Sequence, residues 1–353
     1  MAQAYLHRIA TAVPEYDVHE PFVAFVQESL TDRRTRVLFQ RISAKSGIHH
    51  RYCCLPVQEY LLSGGKTQFQ DNESGLFHST GHRMKLFEQC APLLARKALD
   101  ALDTSAEERS RIRHVLVTCC TGFYAPGLDF DIVDHLKLPG STERILLGFM
   151  GCYAAINALK VARHIVRSDR ESLVLIVNLE LTTLHFHEAQ ELNEAIASLL
   201  FGDGCAACLV GAEPRGLALE SFHALRIENS SDMITWRVGD LGFDMFLSGQ
   251  VPKEIAKEFR GKKAAIAGDE PCDLWAVHPG GRAILDAVEN GLELPPQALE
   301  ASRQVLSSFG NMSSASVMFV LERLMRQAES GQRGCAMAFG PGMTAETMRF
   351  SAV

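Results

Sequence analysis

A chain of 353 residues, 47% hydrophobic and 22% charged, is long enough for two domains or one large double-layered core, and it is too apolar for a disordered polymer. The net charge of -7, with no basic run longer than the Arg33-Arg34-Thr35-Arg36 cluster, argues against a nucleic-acid surface. The first residues lack the charged, apolar and small-residue regions of a signal peptide, and no apolar run reaches the length of a membrane span. A cytoplasmic protein is therefore expected, with its ten cysteines outside disulfides.

In chain order, residues 61–82, rich in Gly, Ser and Thr, predict a surface loop, and FEQCAPLLARKALDAL (87–102) a helix. HVLVTCC (114–120) predicts a buried strand, as do SLVLIVNLEL (172–181), CAACLVG (205–211), DLWAVH (273–278) and CAMAFG (335–340). Further helices are predicted after Cys152, over RAILDAVENGL (282–292) and over SASVMFVLERLMRQA (314–328). Strands alternating with helices are the mark of an α/β fold, and residues 212–216 (AEPRG) read as a seam between two halves. The halves resemble each other. In each, a glycine-bearing turn leads to a helix opening on a chemically capable residue: Gly151-Cys152 in the first and Gly310-Asn311 in the second. The one C-x-x-C, Cys205 and Cys208, lies in a predicted buried strand with no second pair, so no metal site is expected.

Cys152 carries the most information. Gly148 and Gly151 permit a sharp entry, and Ala154, Ala155, Ala158, Leu159, Val161 and Ala162 follow at helical spacing. A cysteine at a helix N-terminus meets unpaired N–H groups and a partial positive charge that favour thiolate, although a free cysteine is more often a small core residue. His278 ends an apolar strand just before Pro279-Gly280-Gly281, where α/β sheets commonly build their sites. Taken alone, His278 also reads as a turn or core histidine and Asn311 as an ordinary N-cap.

Four motifs in order, Gly151-Cys152, Phe201-Gly202-Asp203-Gly204, His278-Pro279-Gly280-Gly281 and Gly310-Asn311-Met312-Ser313-Ser314-Ala315, with Phe339-Gly340-Pro341-Gly342 closing the chain, resemble the type III polyketide synthases. This is the chalcone synthase-like family, here of bacterial type. The resemblance runs from about residue 5 to the end and implies a thiolase-like α/β fold. Two related βαβ halves, 1–212 bearing the nucleophile and 213–353 bearing histidine and asparagine, would pack as a five-layered αβαβα core. It implies Cys152, His278 and Asn311 as catalytic residues, Phe201 as an aromatic gatekeeper, and Arg41 and Lys45 as contacts to coenzyme A phosphates. Leu38 stands where the family has a further lysine, and Met245 where a second gatekeeper is commonly phenylalanine. The cavity lining implied is Cys120, Thr121, Glu180, Thr182, His185, Trp236, Met245 and Ser313, with Gly340 and Pro341 at the closing motif.

The implied reaction loads an acyl group from an acyl-CoA on Cys152, held as thiolate beside His278 imidazolium. It then extends the chain by decarboxylative condensation with malonyl-CoA, His278 and Asn311 stabilising the enolate, without metal, cofactor or carrier protein. Cys120, His185 and Met245 point to a cavity similar to those that make alkylresorcinols or alkylpyrones from fatty acyl starters; a compact phenolic from malonyl-CoA is the alternative. A β-ketoacyl synthase III shares the Cys-His-Asn set but usually carries His-Gln-Ala-Asn where this chain has His-Pro-Gly-Gly. A cysteine hydrolase lacks its local signature here. A silent acyl-CoA-binding protein of the same fold need not keep all three residues. The resemblance also implies a homodimer, with Ala125 entering the partner's cavity.

Overall fold

A computed structural model describes residues 3–56, 78–186 and 192–353. Its strands are β1 (Tyr5–Ala12), β2 (Tyr16–Asp17), β3 (Tyr52–Cys53), β4 (Ile112–Cys119), β5 (Glu143–Gly148), β6 (Leu173–Leu181), β7 (Asp203–Gly211), β8 (Leu217–Arg226), β9 (Ile234–Gly239), β10 (Gly242–Leu247), β11 (Leu274–Val277), β12 (Arg333–Gly340) and β13 (Thr344–Ala352). Nine of them form one sheet in the order β11-β12-β13-β8-β1-β7-β6-β4-β5.

That order contains the same four-strand pattern twice. From β1, the neighbours β7 and β6 pair antiparallel and β4 then pairs parallel with β6; from β8, β13 and β12 pair antiparallel and β11 then pairs parallel with β12. The two sets meet at β1 and β8 through Tyr5↔Ala218 and Leu6↔Leu217, with the Leu219 N–H donating to Ala4 O beside them, and β5 extends the first set beyond β4. The likeness that the sequence only suggested is thus a repeat of topology.

Side-chain alternation along the buried strands divides the core into layers. On β4, Val115 and Val117 face an outer core with Phe87, Leu94, Ala98 and Leu102 of the helix Thr80–Leu102, while Leu116 faces a central one. Ala336 and Ala338 of β12 face the same central core; Cys335, Met337 and Phe339 turn to a third, against Ile255 and Phe259 of Val251–Phe259 and Leu285 and Val288 of Arg282–Gly291. The central core holds the helices Ala154–Ser168 and Ser316–Met325, which gives the five layers αβαβα. Small residues at Ala155, Ala158 and Ala162 let that central helix lie close between the sheets.

The elements depart from the sequence expectation mainly at their ends. The predicted 87–102 helix begins at Thr80, taking in the end of the predicted 61–82 loop, because the Ser79 side chain accepts the His82 N–H and caps it; residues 61–77 of that loop lie outside the described residues. The predicted 314–328 helix opens as a 3-10 turn over Ser313–Ala315 before the α-helix Ser316–Met325. Among the described residues no helix is long and apolar enough to cross a membrane.

Candidate active site

Gly151 makes the turn into the nucleophile helix. Its φ of +85° and a Cβ position 2.2 Å from Pro341 Cδ leave room for glycine only. Its N–H donates to Cys120 Sγ at 3.0 Å, so the turn is fastened to the end of β4 as well as to the loop after β12. Cys152 then precedes the helix Ala154–Ser168 by two residues and is 8% exposed, its thiol donating to Ser313 Oγ at 3.6 Å. Burial pushes the Cys152 thiol up to about 12. Desolvation thus opposes the helix N-terminus and the expected resting thiolate.

His278 follows β11 directly, its backbone N–H donating to Met337 O at 2.8 Å, and its side chain is fully enclosed. Burial drops its imidazole to about 3, which favours the neutral ring and works against the expected imidazolium partner of Cys152. Nδ1 has no hydrogen-bond partner among the described residues.

Asn311 is not the N-cap of a continuous helix. Its Oδ1 accepts the Ser313 backbone N–H at 2.9 Å in a tight local turn, which assigns the amide oxygen and leaves Nδ2 as the donor, 3.4 Å from Gly280 O. Its backbone is tied to the segment around Phe201: Asn311 N–H donates to Leu200 O at 2.8 Å and Gly202 N–H to Asn311 O at 3.0 Å.

Cys152, His278 and Asn311 line a single apolar cavity with about 1090 Å³ of empty space, counting its open mouth. Cys120, Thr121, Thr182, His185, Phe201, Trp236, Met245, Ser313, Gly340 and Pro341 line it too. Glu180 does not, against expectation. It lies behind the wall, accepting from Ser314 Oγ at 2.5 Å, Thr121 Oγ1 at 2.9 Å and Cys120 N–H at 2.9 Å, and burial raises its carboxyl to about 7. Arg41 and Lys45 stand outside the cavity, exposed on the last turns of the helix Arg33–Lys45, whose end meets Arg282 through the Lys45 carbonyl.

Phe243, Leu247, Val251, Ile284 and Phe339 also line the cavity and were missed. The period of two along β10 offered a signal for the first two, since Phe243, Met245 and Leu247 alternate on one face. Cys205 and Cys208 enter different cores on opposite faces of β7 and do not converge. Cys53, Cys54 and Asp203 do, with ligand atoms within 4.8 Å of one another, but the Asp203 carboxylate is already engaged by Thr183 N, Thr183 Oγ1 and Cys54 N. That cluster is a hydrogen-bonded hub.

A thiolase-like double fold with a cysteine, a neutral histidine and an amide donor around one apolar cavity defines an acyl-transferring condensing enzyme. The models for the N-terminal and C-terminal domains of chalcone and stilbene synthases match residues 2–214 and 219–353, and the chain belongs to that family, as a type III polyketide synthase. It is 36% identical over 290 residues to the alpha-pyrone synthesis polyketide synthase-like Pks18 of Mycobacterium tuberculosis, covering 77% of this chain and 73% of that protein. It superposes on the crystal structure of PKS-I from the brown alga Ectocarpus siliculosus with a TM-score of 0.90 at 29% identity, covering 100% of this chain and 99% of that one. For 1,3,6,8-tetrahydroxynaphthalene synthase from Streptomyces coelicolor the TM-score is 0.86 at 27% identity, covering 98% and 99% of the two chains.

Proposed function

We propose that this synthase loads a fatty acyl starter from coenzyme A on Cys152, extends it with malonyl-CoA and releases an alkylpyrone or alkylresorcinol. The observation that carries the mechanism is the fixed Asn311 amide, its oxygen held by Ser313 N–H, sharing a cavity with neutral His278. In loading, the Cys152 sulfur attacks the thioester carbonyl, its proton passes to His278 Nε2, and that proton leaves on the coenzyme A thiol. Because thiol and imidazole are both neutral at rest, proton transfer accompanies attack. In extension the neutral imidazole carries its one ring proton on Nε2, a tautomer open to it because no described residue holds Nδ1; malonyl-CoA loses carbon dioxide, and the enolate oxygen accepts from His278 Nε2–H and Asn311 Nδ2–H. The carbanion attacks the acyl carbon on Cys152, the C–S bond breaks, and the lengthened chain either returns for another round or cyclises.

Arg41 and Lys45, exposed at the end of their helix, are suited to the coenzyme A phosphates. The fatty starter is supported by the apolar wall of Met245, Leu247, Val251, Ile284 and Phe339, and by the alpha-pyrone role in the name of Pks18. A compact phenolic is the second reading, supported by the likeness to tetrahydroxynaphthalene synthase. A cytoplasmic homodimer is part of the proposal. The edge strand β5 and its neighbours leave Leu146, Phe149, Met150 and Phe123 exposed, a hydrophobic face suited to a second copy. Mass spectrometry of products from a panel of acyl-CoA starters with malonyl-CoA tests the function: alkylated pyrones or resorcinols from long starters are expected, and a starter-independent phenolic overturns the fatty-acyl reading.

A further inference from the structure

The wall opposite Cys152 is partly built by a hairpin, β9 and β10, that pairs with neither set of the nine-stranded sheet among the described residues. It carries Trp236, Phe243 and Met245 into the cavity, so something other than strand pairing must hold its middle in place. Its tip is fastened at Thr80, whose N–H donates to Asp240 O at 2.8 Å and whose hydroxyl accepts the Gly242 N–H at 2.8 Å. Its start is fastened by the Gly342 N–H on Ile234 O at 3.1 Å.

The middle is held to the nucleophile half by one side chain from that half, His185, and one from the hairpin, Trp236. His185 Nδ1 accepts the Phe243 backbone N–H at 3.0 Å, and His185 Nε2 lies 2.6 Å from Thr121 O. A backbone carbonyl demands a donor and a backbone N–H demands an acceptor, so the two contacts require the neutral imidazole protonated on Nε2. The ring spans from the chain just after β4 to the hairpin backbone, and it stacks on Phe243 with centroids 4.1 Å apart and planes 13° apart. Trp236 supplies a second tie, its Nε1–H donating to Cys120 O at 2.7 Å, and its ring meets Phe243 edge-on at 5.7 Å. Cys120 and Thr121, the two carbonyls gripped, are themselves cavity residues, and Cys120 Sγ accepts from the Gly151 turn.

We propose that His185 is a positioning and specificity-determining residue that latches the β9–β10 hairpin to the nucleophile half and thereby sets the depth of cavity open to the growing polyketide. The latch differs from a mere lining role because it depends on two directed hydrogen bonds from one ring. No acyclic amide reproduces both: glutamine reaches Thr121 O but gives up the acceptor for Phe243 N–H, and asparagine keeps the acceptor but falls short of Thr121.

The length-setting part rests on the polyketide synthase reading; the latch itself does not, and the experiment separates them. Hydrogen–deuterium exchange of ligand-free wild type, His185→Leu, His185→Gln and His185→Asn is followed over residues 234–247, with thermal melts to establish folding. Faster exchange across β10 by at least about tenfold is expected in all three variants. If the leucine variant does not fold, glutamine and asparagine each remove one bond and carry the same expectation. Unchanged exchange overturns the latch without touching the enzyme reading. Product mass spectra with hexanoyl-CoA and malonyl-CoA should shift by at least one malonyl-derived unit in variants with a loosened hairpin. Product lengths that follow the volume of residue 185 alone, with glutamine matching wild type, overturn the positioning role. No condensation product from the wild type overturns the underlying reading instead.

Discussion

Phe201 and Asn311 form an isolated parallel β-bridge, so the aromatic ring that lines the cavity and the Asn311 amide share one short piece of backbone. Gly202 N–H on Asn311 O and Asn311 N–H on Leu200 O keep that amide aimed whether the Phe201 side chain is large or small. The Phe201 ring is therefore separable from the chemistry, and the Asn311 side chain is separable from loading.

Asn311→Ala is expected to leave Cys152 acylation by acyl-CoA within a few-fold of wild type while slowing malonyl-CoA decarboxylation by roughly 10²–10³-fold, the typical cost of one lost oxyanion donor. Intact-protein mass spectrometry reads the first and carbon dioxide release the second. Decarboxylation at the wild-type rate would leave Asn311 with only its local turn.

The pH dependence of Cys152 alkylation distinguishes a resting thiol from a preformed ion pair. With its thiol raised to about 12, the thiolate fraction grows as pH rises toward that value. Iodoacetamide labelling of the Cys152 peptide should accelerate about tenfold per unit from pH 7 to 9. A rate flat from pH 6 to 8 would restore the thiolate–imidazolium pair.

Met245 pairs with Trp236 across the hairpin and lines the cavity. If it borders the acyl path, each buried methylene contributes about 0.8 kcal/mol, so four added methylenes give at most about 3 kcal/mol, around 10²-fold in kcat/KM before the entropy of ordering the chain. Specificity should rise from acetyl through hexanoyl to longer starters. Met245→Phe should blunt that rise and spare acetyl. A flat wild-type profile would favour the compact phenolic.

The exposed face at β5 predicts association. Leu146 is 55% exposed on an edge strand, so Leu146→Glu should convert a species of twice the single-chain mass to a monomer in light scattering at micromolar concentration. A wild type that scatters as one chain would remove the dimer.

Cys152, His278 and Asn311 were legible in the sequence because each stands where a glycine-flanked strand or helix ends, and such termini are written in local chemistry. The buried strands were legible for a similar reason: β6 and β7 are enclosed on both faces and so read as unbroken apolar runs. The strands β8 and β13 were not, since their residues are mixed polar and apolar rather than an unbroken apolar run, and they pair with each other across more than a hundred residues of chain. The environment that sets protonation was not legible, for a physical reason. A helix N-terminus is local and visible in sequence, whereas the desolvation that holds Cys152 and His278 neutral comes from every layer packed around them. Glu180 shows the same division: the family resemblance put it in the cavity lining, but only the packing of Ser314, Thr121 and Cys120 around its carboxylate turned it behind the wall. The sequence by itself determined the candidate trio Cys152, His278 and Asn311 and the layered α/β class; the tertiary structure decided how deeply the three are buried, the apolar wall and the side-chain ties on the β9–β10 hairpin, because those depend on contacts between residues far apart in the chain.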